Sequence, residues 1–291
     1  MMYLPETLPD ARVLIAVKAY PLPSNKYEEL VCTAGVLENG KWIRIYPIPF
    51  RSLPYDRQYR KFEWIRLSLV KNVKDFRPES YRPLHNLEEP IFLDGHISAS
   101  SKGWRERKSY VLREVFDSMS EIIDLAKGPQ LRSLAVLKPR EIIDFKIEST
   151  SRHWKPKWND YFLQSNLLDI DRTGKVKRRV PIRKLPYKYS YVFVSKGDTN
   201  PRKLFIEDWE LGALYWKCLK ETQGDEAGAN RLVRQKYLDE FCSKRDIYLF
   251  LGTTWHYHKI SQNPFIIVGV FYPPKEPQNR KYQAIQLPLF C

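Results

Sequence analysis

The chain has 291 residues, 43% of them hydrophobic and 14% aromatic, which is enough for a real core and for roughly two domains of about 150 residues. No run nears the ~18 apolar residues of a membrane span, and four scattered cysteines (32, 218, 242, 291) give neither a disulfide framework nor a metal knuckle, so a reduced, cytoplasmic protein is expected. Lys and Arg outnumber Asp and Glu by 49 to 34, and a net charge of +15 favours a polyanionic partner through counterion release.

In chain order, the first twelve residues carry acids and two prolines rather than a signal-peptide pattern. Arg12–Lys18 is rich in branched residues and predicts a buried strand. Residues 30–36 and 41–46 predict a hairpin, with Asn39-Gly40 supplying the positive φ angles of its turn. Tyr46-Pro47-Ile48-Pro49-Phe50-Arg51 follows, where two prolines hold the backbone extended. That segment offers Tyr46 and Phe50 as stacking platforms beside Arg51, or else a proline-stiffened barrel corner. A basic stretch from Arg51 to Arg82, including Arg57, Arg60 and Lys61, has nine basic residues against four acidic ones and contains a further strand over 62–70. Short strands interrupted by prolines predict a small β-barrel.

Lys102–Arg113 is a second basic patch, and apolar spacing from Val111 to Ala126 predicts a helix. Strands are expected at 134–137, 141–147 and 189–194. Between the last two, Ser151–Ser190 concentrates eleven basic residues against three acidic ones. There Trp154 and Trp158 alternate with Lys155 and Lys157, as suits unstacked bases beside a phosphate chain, and Lys175, Lys177, Arg178 and Arg179 follow a turn. Two helices are predicted from 206 to 218 and from 224 to 241, then strands at 247–251 and 265–271, the second stopped by Pro273-Pro274. The pattern is α+β: a barrel-like unit over 1–100, a helical connector over 101–130, and a second β unit with a helical insertion and two closing strands over 131–291.

Phosphate-binding glycine loops, dinucleotide fingerprints, nucleophile elbows and zinc deaminase motifs are all missing, so no cofactor is expected. His256 and His258 would share one strand face, but no acid or cysteine stands near; hydrogen-bonded rings are expected there and no metal. Carboxylates remain. Asp208 and Glu210 open a predicted helix, where acids ordinarily cap free amides. Either, or Asp160 beside Trp158, is also placed to assist cleavage of a glycosidic bond among cations, with Asp56 a further candidate.

Lys18–Ser24, Val31–Gly35, Trp42–Arg51, Ile206–Glu210 and Phe265–Pro274 resemble, over nearly the whole chain, a family of bacterial proteins encoded beside phage-defence genes. The Cys-Thr-Ala-Gly and Trp-Ile-Arg pieces are also similar to dual OB-type barrel proteins. Where many relatives carry a cysteine pair, this sequence has Ser195–Pro201, a departure from a zinc-binding pattern. The resemblance extends to anti-phage DNA glycosylases that remove glucosylated hydroxymethylcytosine. It implies a metal-independent enzyme that flips and excises a modified base from phage DNA, leaving an abasic site. The alternatives are a non-catalytic reader of modified DNA or RNA, and a nuclease.

Overall fold

Strand β1 (Thr7–Lys18) is buried along both of its faces from Val13 onward, because it is shared by two cores. The computed structural model describes residues 4–24, 28–86, 89–155 and 182–275. Val13 and Ile15 point into one barrel, packing on Ile43, Ile45, Ile65 and Leu67. Leu14, Ala16 and Val17 point outward, onto Leu134, Val136, Phe250 and Phe271 of the second half of the chain. Such double burial explains why this strand reads as one apolar run and not as an alternation.

The first barrel consists of β1, β3 (Glu28–Leu37), β4 (Trp42–Ile48), β5 (Glu63–Lys71) and β6 (Ser80–Pro83), with the short β2 (Leu22–Ser24) paired to β3. Its circuit runs β1-β3-β4-β6-β5 and closes through β5 onto β1. All pairings are antiparallel except β4 with β6. That is the five-stranded Greek-key order of an OB-type barrel. The β3–β4 hairpin turns where expected, with Gly40 at φ +79°. Strand β7 (Phe92–His96) flanks β5.

The helix expected over 111–126 is instead two helices, α1 (Ser101–Val111) and α2 (Met119–Lys127). Ser118 caps α2, and between the helices Phe116 adds to a strand: its N–H donates to Val136 O, and its carbonyl accepts from Lys138. Apolar spacing alone does not register a seven-residue break whose backbone bonds are supplied from elsewhere.

The second half repeats the first topology. Strand β8 (Leu134–Leu137) leads within three residues into β9 (Glu141–Ser149), and together they act as one long bent strand. Strand β9 pairs with β10 (Tyr187–Val194), and β10 with β11 (Arg202–Phe205). Helices α3 (Trp209–Glu221) and α4 (Glu226–Arg234) follow, the latter running through a π-helical segment (Gln235–Glu240) into a last turn, Phe241–Lys244. Then β12 (Tyr248–Thr253) pairs with both β8 and β13 (Phe265–Phe271). A parallel bridge between Ile206 and Ile267 joins the chain just after β11 to β13 and closes the ring. The fold is therefore α+β with two OB-type circuits, the second carrying the helices between its third and fourth strands, where they pack on Phe145, Tyr189 and Tyr191.

The barrels meet asymmetrically. The outward side of β1, β3 and β4 in the first lies against β8 and β12 of the second, and Arg44 of β4 is fully committed there. Its guanidinium donates to Ser133 Oγ (2.8 Å), Ser133 O and Thr253 O (both 3.3 Å), while Glu79 accepts from the Ser133 amide and hydroxyl. The β3–β4 face is the one with which OB folds usually grip oligonucleotides. In this chain the second barrel covers it.

Candidate nucleic-acid interface and interbarrel cleft

Asp208 caps α3, its carboxylate accepting from the Glu210 amide (3.0 Å), as acids at that position should. It is also a crossing point of the fold. Both carboxylate oxygens take Lys61 Nζ (2.9 and 2.8 Å), and one accepts from Val270 N (3.3 Å). Asp208 is 2% exposed, so every lone-pair direction is used and no face is left for a substrate. Glu210 shares Lys61 at 3.0 Å, but its side chain is 42% exposed. Burial alone would push the Lys61 amine down, and the two carboxylates reverse this and hold it above the ordinary lysine range. Lys61 is therefore a buried strut between the barrels and not the DNA-facing cation its neighbours suggested; the barrel-to-barrel packing that turns it inward has no local sequence signature.

A cleft of about 350 Å³ opens beside this pair, lined among others by Lys18, Lys61, Trp104, Arg107, Trp209 and Glu210. Phe50 packs behind two of these residues, Lys18 and Trp209. It is 5% exposed, edge-on to Tyr59 (4.9 Å) and Trp209 (5.3 Å), with Lys18 Nζ 4.2 Å over its face. The proline-stiffened corner is thus the better account of 46–51, since it drives Phe50 into the core; Tyr46 stays 39% exposed, before a cis bond to Pro47.

The other expected contacts are dispersed. Arg57 and Arg60 are exposed on the β4–β5 connection, where Arg60 meets Glu63 at 3.5 Å, and Arg51 is partly buried. Asp56 is exposed on the same connection. Lys155 is exposed; Trp154 donates Nε1–H to Ile182 O (2.8 Å). Lys157, Trp158, Asp160, Lys175, Lys177, Arg178 and Arg179 lie outside the described residues. Ser195 and Asp198, in the segment that departs from the cysteine-pair pattern, are stitched together by two bonds onto Asp198 Oδ2, and Arg202 pairs with its other oxygen at 2.6 Å.

One surface escaped the sequence reading. The loop from β12 to β13 raises Trp255 (57% exposed), Tyr257 (55%) and Ile260 (68%), with His256 and Lys259 exposed between them. His258 anchors it from below. Its Nε2 donates to Ala126 O (3.0 Å), so its Nδ1 accepts from Thr253 Oγ1 (2.7 Å). Burial lowers its pKa, in keeping with a neutral ring. Phe76, in the β5–β6 loop of the first barrel, supports the tip: His258 lies edge-on at 5.2 Å, Trp255 at 6.4 Å, and Lys259 Nζ sits 4.3 Å over the Phe76 ring. In the sequence this surface is an aromatic, His-bearing run between two apolar strands.

Among the described residues no three His, Cys, Asp or Glu side chains gather as a metal site, and no helix is long and apolar enough to cross a membrane.

Two family models match the chain: one described as Domain of unknown function (DUF8758) over residues 9–113, and one as Domain of unknown function (DUF8757) over residues 115–286. No curated protein matches it. Solved structures align loosely over its length. A murine DNA-binding protein bound with double-stranded DNA is 8% identical, with 93% of this chain and 99% of that one covered and a TM-score of 0.31. A replication protein A heterotrimer bound to single-stranded DNA is 9% identical, with 92% and 67% covered and a TM-score of 0.25.

Proposed function

The chain belongs to the family described as a domain of unknown function (DUF8757), whose model matches more than half of it, and we propose that it is a DNA-binding protein working through its second barrel. The observation that carries this reading is the aromatic tip between the fourth and fifth strands of that barrel. OB-type barrels hold oligonucleotides with this loop and with the connection between their first two strands. In the second barrel the latter connection, between β9 and β10, is where the sequence concentrates ten basic residues against three acidic ones. Exposed rings beside cations suit bases and phosphates together. Fluorescence anisotropy with labelled oligonucleotides across a salt series tests it. Salt-sensitive binding that weakens in Trp255→Ala and Tyr257→Ala is expected; binding indifferent to both substitutions would sink it.

Excision of a modified cytosine from phage DNA is a second reading, favoured by Glu210. Of the two acids at the head of α3 it alone is half open to the interbarrel cleft, with Trp104 and Trp209 on the walls. A flipped base needs such a pocket and an acid. Mass spectrometry of free bases tests it, after incubation with plain, hydroxymethylated and glucosylated cytosine DNA under chelation. Release of one modified base, lost in Glu210→Gln, supports an N-glycosylase; retention of every base leaves a binding protein.

A further inference from the structure

The interbarrel cleft holds two buried cations that form no direct ion pair. Lys18 is 8% and Arg107 6% exposed. Lys18 Nζ donates to Tyr59 O (3.0 Å) and lies 4.2 Å from the Phe50 ring centre and 5.2 Å from that of Trp209. Arg107 spends two N–H groups on Ile97 O and rests over Phe62 (4.1 Å) and Trp104 (4.9 Å). Among the described residues neither forms an ion pair, and the two nearest acids leave the three cations Lys18, Lys61 and Arg107 one negative charge short. Asp208 and Glu210 hold Lys61, and Glu63 holds Arg60 through its backbone amide and guanidinium. A buried charge without its own counter-charge is costly, and such a deficit lining a cavity calls for an anion in it. Burial, with Lys61 close by, also pushes the Lys18 amine down to about 8, an effect that Glu210, Asp208 and Glu63 offset only in part.

We propose that this cleft binds the phosphate monoester of a nucleotide, with the phosphoryl oxygens on Lys18 and Arg107 and the base against Trp104, Trp209 or Tyr272. A phosphate monoester supplies the missing negative charge, and the planar base of the nucleotide suits a ring-lined wall. At about 350 Å³ the cleft falls at the small end of ligand sites, the scale of a mononucleotide. The group can come from a free nucleotide or from the 5′-phosphorylated end of a DNA strand. The site shares no residue with the Trp255 tip, so it stands or falls apart from binding of DNA there.

Calorimetry and thermal shift with the whole protein test it, using dCMP, deoxycytidine, and matched oligonucleotides with 5′-phosphate or 5′-hydroxyl ends. The expected result is that dCMP or the phosphorylated oligonucleotide binds at least tenfold more tightly than its unphosphorylated counterpart. A response to dCMP identifies a free nucleotide as the source, and a response to the phosphorylated end alone identifies DNA. Lys18→Met and Arg107→Met should each weaken that binding tenfold or more, while Trp255→Ala leaves it intact. Equal binding with and without the phosphate, a comparison needing no variant, overturns the proposal. So does unchanged affinity in two folded cleft variants.

Discussion

Lys61 Nζ stands 2.8 Å and 2.9 Å from the two carboxylate oxygens of Asp208, a residue 147 positions away, and the pair fastens the first barrel to the head of the helix that follows the third strand of the second. Both side chains are almost completely enclosed. Removing one partner of such a pair strands the other charge, at a cost of about 3–5 kcal/mol. Lys61→Met should therefore lower the unfolding free energy by about that amount in denaturant titrations. Asp208→Asn keeps the helix cap and should cost less. Equal stability of Lys61→Met and the native chain would mean the pair contributes no net support.

Where β1 passes β3, the sheet has no room for a side chain. A Cβ built on Gly35 would lie 2.3 Å from Leu14 O, a backbone atom that cannot swing aside. Gly35→Ala should destabilise by about 1–3 kcal/mol or more through forced separation of the strands. A Tm within 1 °C or so of the native value, where about 1 kcal/mol moves a domain of this size a few degrees, would contradict this close approach.

Glu207 gives the protein a distinctive pH response. Burial raises its carboxyl from 4.5 to about 7. The folded state then holds this proton more tightly than the unfolded chain does, so stability is fully present below about 4.5 and declines as pH rises through about 7. Glu207→Gln, which cannot ionise, should melt higher than the native protein at pH 8 and no higher at pH 4. Scanning calorimetry at the two pH values decides it; a gain of equal size at both would point to packing instead of ionisation.

At the aromatic tip, ring and charge should separate cleanly. Loss of one base–ring stack costs about 1–3 kcal/mol, so Trp255→Ala should weaken oligonucleotide binding about fivefold to a hundredfold with little change in the salt slope. Lys259→Ala should instead lower that slope by about one, as expected for a single phosphate contact. Neither should move Tm much, because both side chains are exposed. Identical effects on the slope would show that the two residues do not divide the labour this way.

Much of the architecture was legible in the chain. Strand periods, the Asn39-Gly40 turn, the helix opened by Asp208 and the stop at Pro273 are local, set by side-chain branching, backbone freedom and capping within a few residues. The +15 charge is likewise fixed by composition wherever the residues fall. What tertiary structure alone decided is which side of each element is hidden. Phe50 and Lys61 read as exposed because rings and cations surround them in sequence, yet the docking of Trp209 and Asp208 turns them inward. His256 and His258 read as sharing one strand face, yet His258 is buried and pins a loop that leaves His256, Trp255 and Tyr257 outside. The β3–β4 face, open in a solitary barrel of this order, is closed because Arg44 and Ser133 meet across 89 residues. Sequence fixes the period of an element, but the partner that covers its face comes from far along the chain, and burial follows the partner.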